Sequence, residues 1–160
     1  LTLTLTRPLL LTPTPTPHQA AVLHSASEES IKAGKAVTVL TYLHGVREAQ
    51  KAIEVLKEEG LEIDLLEMRS LKPLDKDAIR ESLARTHKLA ILDESTYSGG
   101  IGATISAIVS EEMFDLLDAP VKRLSMDDAP VPYSLAMEAA VVKRDTDLVQ
   151  GVADLVFRKY

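Results

Sequence analysis

Lys88-Leu89-Ala90-Ile91-Leu92-Asp93-Glu94 is a short apolar run that ends in two carboxylates. Ser98-Gly99-Gly100-Ile101-Gly102-Ala103 follows, and small and β-branched residues continue to Val109. This order reads as strand, loop, helix. Glycines let the backbone turn sharply, so that a helix can start close to the tip of the strand. Similar units stand on either side. The chain is therefore expected to form an open α/β sheet with this unit at its centre.

Lys35 to Thr41 is a β-branched apolar run and reads as a buried strand. A turn through Tyr42 to Gly45 leads into a helical pattern, with Val46, Ala49, Ala52, Ile53 and Leu56 on one face and Arg47, Lys51, Glu54 and Lys57 on the other. Gly60 supplies the helix stop. Leu61 to Met68 is the second strand, and Arg69 to Asp75 the crossover. A second helix starts near Asp75, with Ile79, Leu83 and Ala84 expected inside and His87 at its end, where the helix dipole favours a cation. After the central unit, whose helix is expected to reach Phe114, Val121 to Leu124 is a fourth strand. Asp127 to Tyr133 is loop, because Pro130 and Pro132 fit neither a helix interior nor a central strand. Ala136 to Ala140 is expected to form a short turn. A last helix from Asp145 carries Leu148, Val152, Leu155 and Val156 on one face. Strands alternating with helices imply a three-layer α/β/α arrangement around a mainly parallel sheet.

Residues 1–30 read as a Leu/Thr/Pro tail or linker, and residues 31–160 as the domain. Leu and Thr alternate to Thr6, Thr-Pro repeats run from Thr12 to Pro17, and Arg7 is the sole formal charge before Glu28. Prolines cannot donate to a sheet ladder, which favours an extended tail over an edge strand. A transit-peptide remnant is the other reading, since acids are absent and Thr is abundant.

The formal charge of −6 lacks the clustered cations of a nucleic-acid footprint, and no run reaches the apolar length of a membrane span. With no cysteine, thiolate catalysis and Cys-ligated zinc are excluded.

Gly99-Gly100-Ile101-Gly102 opens a helix after a strand, so its free N–H groups suit an anion. As a dinucleotide fingerprint it is imperfect: Ile105 stands where the third glycine belongs, and five residues separate Glu94 from Gly100. A tight-packing or interface loop comprising Glu94, Gly99, Gly100 and Gly102 is the preferred reading. Asp93 and Glu94 are adjacent and point to opposite sides of a strand, so one of them is expected to cap backbone groups of the loop rather than act as a general base. His18, His24, His44 and His87 have no metal-ligand spacing. His44 alone lies where sites in such sheets occur, although a solvated loop histidine accounts for it. Asp127-Asp128 reads as turn-capping carboxylates rather than a metal site.

In chain order, Val37-Thr38-Val39-Leu40-Thr41-Tyr42, Arg69-Ser70-Leu71-Lys72-Pro73-Leu74-Asp75, Ser98 to Ala103, Leu117-Asp118-Ala119-Pro120-Val121 and Ala129-Pro130-Val131-Pro132-Tyr133 form a set. As a set they resemble the transketolase-C-like domain of the beta subunit of a pyruvate dehydrogenase first component, most of all its plastid and cyanobacterial members. The resemblance covers roughly residue 33 onward. It implies an enzyme that uses thiamine diphosphate and Mg, with the cofactor held between an alpha subunit and the beta subunit's other, cofactor-binding domain. This chain alone is then expected to bind no cofactor and to carry no catalytic residue. It would support subunit contacts within an oligomer and dock a dihydrolipoyl acyltransferase. Asp118 matches an acidic docking residue, and the terminal carboxylate of Tyr160 contributes likewise. The implied location is plastid stroma or mitochondrial matrix, or the cytoplasm of a bacterium. Leu43-His44-Gly45 departs from the family's small polar turn, Ser95-Thr96-Tyr97-Ser98 precedes the glycines where a Thr is common, and Ala129 replaces a usual Val. The alternatives are a structural subunit recruited to an unrelated complex, and a related thiamine enzyme such as a transketolase or a deoxyxylulose-phosphate synthase.

Overall fold

The computed structural model describes residues 18–158. The alternating Leu/Thr and Thr-Pro segments and Tyr160 lie outside them. Strand β1 (Ala21–His24) and helix α1 (Glu28–Lys32) precede β2 (Ala36–Thr41) and α2 (His44–Glu58). Then follow β3 (Glu62–Glu67), α3 (Lys76–Thr86), β4 (Leu89–Thr96) and α4 (Ile101–Glu112). A 3-10 turn at Phe114–Leu116 leads to β5 (Lys122–Met126), α5 (Leu135–Val141) and α6 (Asp145–Phe157).

The strands form one sheet in the order β1-β3-β2-β4-β5. β2 pairs in parallel with both β3 and β4, and β4 with β5, while β1 joins β3 antiparallel. Every residue of β2 is buried, as befits a strand covered on both faces. On one face Val37, Val39, Ala90, Leu92 and Leu124 pack against Ala49, Ala52 and Leu56 of α2 and Leu148, Val152 and Leu155 of α6. On the other, Leu40, Leu66, Leu89 and Ile91 meet Ile79 and Leu83 of α3 and Ile105 and Val109 of α4. The three-layer α/β fold is thus present, with β4 next to the centre of the sheet.

Three expectations are corrected. The fold begins before residue 31: Ala21–His24 is an edge strand, and Ser27 caps α1 by accepting from the Ser30 N–H. Antiparallel pairing lets a four-residue segment join the sheet without a crossover helix. Leu135–Val141 is a helix of two turns rather than a turn. Ala84 is exposed, whereas Ser82 and Thr86 of the same helix are buried. Their hydroxyls both meet the Thr38 Oγ1 at 2.6 Å, so α3 docks on β2 through a polar seam that apolar periodicity does not reveal.

Gly60, at φ +71°, ends α2 in the left-handed conformation that favours glycine. His87 adopts the same conformation at the end of α3, with φ +57°. Asp75 caps the start of that helix by accepting from the Ala78 N–H at 3.1 Å.

Candidate functional site

The connection from β2 runs toward β3 and that from β4 toward β5, so the sheet has its switch point between β2 and β4. The carboxyl ends of these strands are where open α/β sheets place their sites. His44 opens α2 there, with Nδ1 3.4 Å from Glu94 Oε1 and Nε2 3.9 Å from Glu48 Oε1. Its ring thus lies between two carboxylates while its side chain stays half exposed. Glu48 is buried, which raises its pKa. The Lys51 ammonium at 2.6 Å, the Asp145 N–H and the charge of His44 outweigh that and hold it below the usual carboxylate range.

Asp93 and Glu94 do face opposite sides. Glu94 is exposed, and Asp93 is buried beneath α4. Asp93 Oδ2 accepts from the Gly102 N–H at 2.7 Å and from the Ser95 hydroxyl at 2.9 Å. It is the expected cap on the glycine loop. Its other oxygen and the Ser125 hydroxyl are buried without hydrogen-bond partners among the described residues. Burial, with the negative charge of Asp93 and Glu94, raises the Tyr42 pKa against an opposing pull from Ser95.

The carboxylate of Asp93 lies on the backbone donor of the first turn of α4, where an anionic ligand would have to sit. The glycine loop therefore does not fit a diphosphate, and the dinucleotide reading fails on that observation. Gly99 lies at the surface. Gly100 and Gly102 are buried and serve close packing: a Cβ on Gly100 would lie 2.3 Å from the Thr96 carbonyl oxygen. The described residues contain no group of three or more His, Cys, Asp or Glu able to hold a metal ion. Asp128 instead accepts from the Ser98 N–H at 2.7 Å and its hydroxyl at 2.6 Å, bonds that hold its carboxyl below the usual range. Asp127 pairs with Lys143.

Leu43, between β2 and α2, has φ 49° and ψ −121°, a conformation that suits glycine. Its side chain is 76% exposed and adds nothing to the core. We expect Leu43→Gly to stabilise the chain by about 1 kcal/mol: relief of ~1–3 kcal/mol of strain, less ~0.5–1 kcal/mol of glycine entropy. Urea denaturation measures this, and a lower unfolding midpoint would contradict it.

The carboxyl end of the sheet is also where apolar side chains stand out. Leu43, Tyr97, Val131, Tyr133, Leu135 and Met137 are all at least half exposed, and α5 has no buried residue. The segment carrying the last four is tied down at both ends, by Asp128 on Ser98 and by the Asp145 N–H on Glu48. Arg123 lies 3.8 Å over the Tyr97 ring and donates to its carbonyl.

A second site lies beside α4. Ser106, Ser110, Phe114, Leu117, Asp118 and Pro120 line an open groove of about 540 Å³. Phe114 is 73% exposed at its edge. Asp118 is exposed, and its carboxylate has no hydrogen bond or ion pair among the described residues. Its backbone N–H donates to the His87 carbonyl oxygen at 2.8 Å.

Sequence comparison agrees with this architecture. The family described as "Transketolase, C-terminal domain" matches residues 27–146. The chain belongs to the transketolase C-terminal domain family. Similar proteins include the pyruvate dehydrogenase E1 component subunit beta of Rickettsia bellii, 36% identical over 81% of this chain and 40% of that protein. The corresponding subunit of Porphyra purpurea is 38% identical over 80% and 39%. The chloroplastic beta-4 subunit of Oryza sativa subsp. japonica is 33% identical over 87% and 35%. The chain thus spans about two fifths of the length of the relatives it matches. Among solved structures, a split gene transketolase described as an inactive beta4 tetramer superposes with a TM-score of 0.74 at 25% identity, over 91% of this chain and 44% of that one.

Proposed function

We propose that this chain is an assembly and docking domain of a thiamine-diphosphate-dependent pyruvate dehydrogenase beta subunit. In this reading it makes no bond to the reacting substrate. The cofactor and its metal belong to a site built from the alpha subunit and a cofactor-binding beta domain. The chemistry that thiamine diphosphate supplies, decarboxylation of a 2-oxo acid, takes place there.

The observation that carries the reading is the exposed carboxylate of Asp118, without a partner among the described residues, beside an apolar groove, in a domain whose relatives are beta subunits of that enzyme. An exposed carboxylate flanked by apolar walls suits a partner that brings one basic side chain and an apolar neighbour. The acyltransferase of the complex is that partner here, with Tyr160 as a second contact. The exposed side chains at the carboxyl end, together with Glu94 and Gly99, form the face that meets the other subunits; Gly100 and Gly102 shape its loop from inside. A plastid or bacterial cytoplasmic location accords with the origins of the relatives.

Calorimetric titration of the full chain with the subunit-binding domain of a dihydrolipoyl acyltransferase tests this. Binding is expected, and Asp118→Ala should weaken it by about 10- to 100-fold, the loss of a charge-assisted contact of ~1.5–3 kcal/mol. Absence of binding by the unaltered chain would reject the docking role. Equal affinity of the variant would reject Asp118 as its anchor.

A second reading rests on the structural neighbour, described as an inactive tetramer of one chain type. On that reading the chain keeps the fold and self-associates as a structural subunit without catalytic partners. A tetramer by light scattering, together with no affinity for the acyltransferase, would favour it.

A further inference from the structure

We propose that His87 is a positioning residue for partner docking, holding Asp118 in the direction from which it meets a basic side chain; this rests on the docking role proposed above. Three contacts converge on this residue. His87 closes α3 in the left-handed conformation, φ +57°, its N–H donating to the Leu83 carbonyl at 2.9 Å. Its ring Nδ1 lies 3.1 Å from the Leu116 carbonyl oxygen. A carbonyl only accepts, so Nδ1 carries the proton and donates. Its own carbonyl accepts from the Asp118 N–H at 2.8 Å. One residue thus holds the loop at Leu116 and at Asp118, the two positions that flank Leu117.

The loop needs such a clamp. Upstream it is fastened by the 3-10 turn, in which the Leu116 N–H donates to Met113 and the Leu117 N–H to Phe114. Met113 is fully buried. At Leu117 the chain is extended; it then bends through Asp118 and Ala119 to Pro120, which can donate no backbone bond. The Asp118 side chain is exposed and has no partner of its own among the described residues, so what the clamp fixes is its backbone and the direction of its Cα–Cβ bond. A loop whose backbone is already held loses less ordering entropy on binding than a free one. The left-handed cap matters as well. A non-glycine residue is seldom found there without a local reason, and here the conformation brings ring and carbonyl to the same loop.

The same conformation makes His87→Gly a usable test, because glycine accepts positive φ without strain and the fold should survive. In the full chain we expect His87→Gly to weaken binding of the acyltransferase subunit-binding domain about five- to tenfold. The unfolding midpoint should stay near that of the unaltered chain. Amide exchange at Asp118 should accelerate, and the salt dependence of affinity should flatten, since the carboxylate no longer meets its cation well. His87→Asn, which tolerates positive φ and keeps an N–H donor, should restore part of the affinity. In the background of Asp118→Ala, His87→Gly should cost nothing further. Unaltered affinity and salt slope in His87→Gly, or a full additional loss in the double variant, would overturn the inference. If the unaltered chain does not bind, the docking role fails; if Asp118→Ala binds as it does, Asp118 is not the anchor; either result overturns this inference too.

Discussion

Replacing Asp64 by Ala is expected to cost about 3–5 kcal/mol of stability, the range for removing one member of a buried ion pair. Asp64 lies on β3 and is fully buried. Its carboxylate accepts from the Ala26 N–H at 2.8 Å, the Ser82 hydroxyl at 3.1 Å and Arg85 Nη1 at 2.8 Å. It therefore joins three parts of the molecule: the segment after β1, the central sheet and α3. Without it the Ala26 N–H loses its acceptor, and the Ser82 hydroxyl is left with Thr38 alone. Arg85 is partly exposed and recovers some hydration, which places the loss toward the lower end of the range. For a domain of this size the melting midpoint should fall by about 10 °C. Calorimetry or urea denaturation gives the value, and hydrogen exchange should show β1 and α1 opening first. A loss under about 1 kcal/mol would mean that the edge strand is held by other contacts.

Gly100→Ala is expected to destabilise by about 3 kcal/mol, and the cause is purely steric. Gly100 is the N-cap of α4, with φ −72°, a conformation that any residue adopts. An added Cβ would lie 2.1 Å from the Ser95 hydroxyl oxygen, 2.3 Å from the Thr96 carbonyl oxygen and 2.9 Å from the Ser95 Cβ. Ser95 could rotate, but the Thr96 carbonyl is backbone of β4 and cannot retreat alone. Forced insertion into a packed site costs ~1–3 kcal/mol, and more where backbone must shift. Gly99→Ala is the control: its φ of +72° is strained for alanine, yet nothing lies within 4 Å of the added carbon. It should cost only about 1 kcal/mol. If the two variants were equal, the loop would be tolerating the clash and the packing account of Gly100 would be wrong.

The two candidate sites were legible in the sequence to different degrees. The apolar run ending in Asp93-Glu94 placed one carboxylate under the glycine loop from alternation alone, because side chains on a strand point to opposite faces. Motif order pointed to Asp118, but not to what holds it. The bond between His87 and Leu116 joins residues 29 apart, and no local pattern announces such a pair. Asp64 was missed for the same reason: within Glu62–Glu67 it sits among apolar neighbours, and its partners come from Ala26, Ser82 and Arg85. The switch-point pairing of His44 with Glu94 likewise exists only once β2 and β4 are adjacent.

By itself, the sequence determined the alternation of strands and helices, the parallel sheet, most of the core faces and the family. These depend on periodicity, on glycine and proline positions and on motif order, all of them local or collinear. Tertiary structure alone decided that residues 21–24 join the sheet, that Ser82 and Thr86 rather than Ala84 face inward, and that Leu135–Val141 is helical with no buried face. The physical reason is the same in each case. A short polar or weakly patterned segment takes its conformation from partners distant in the chain, and only folding brings those partners within hydrogen-bonding or packing distance.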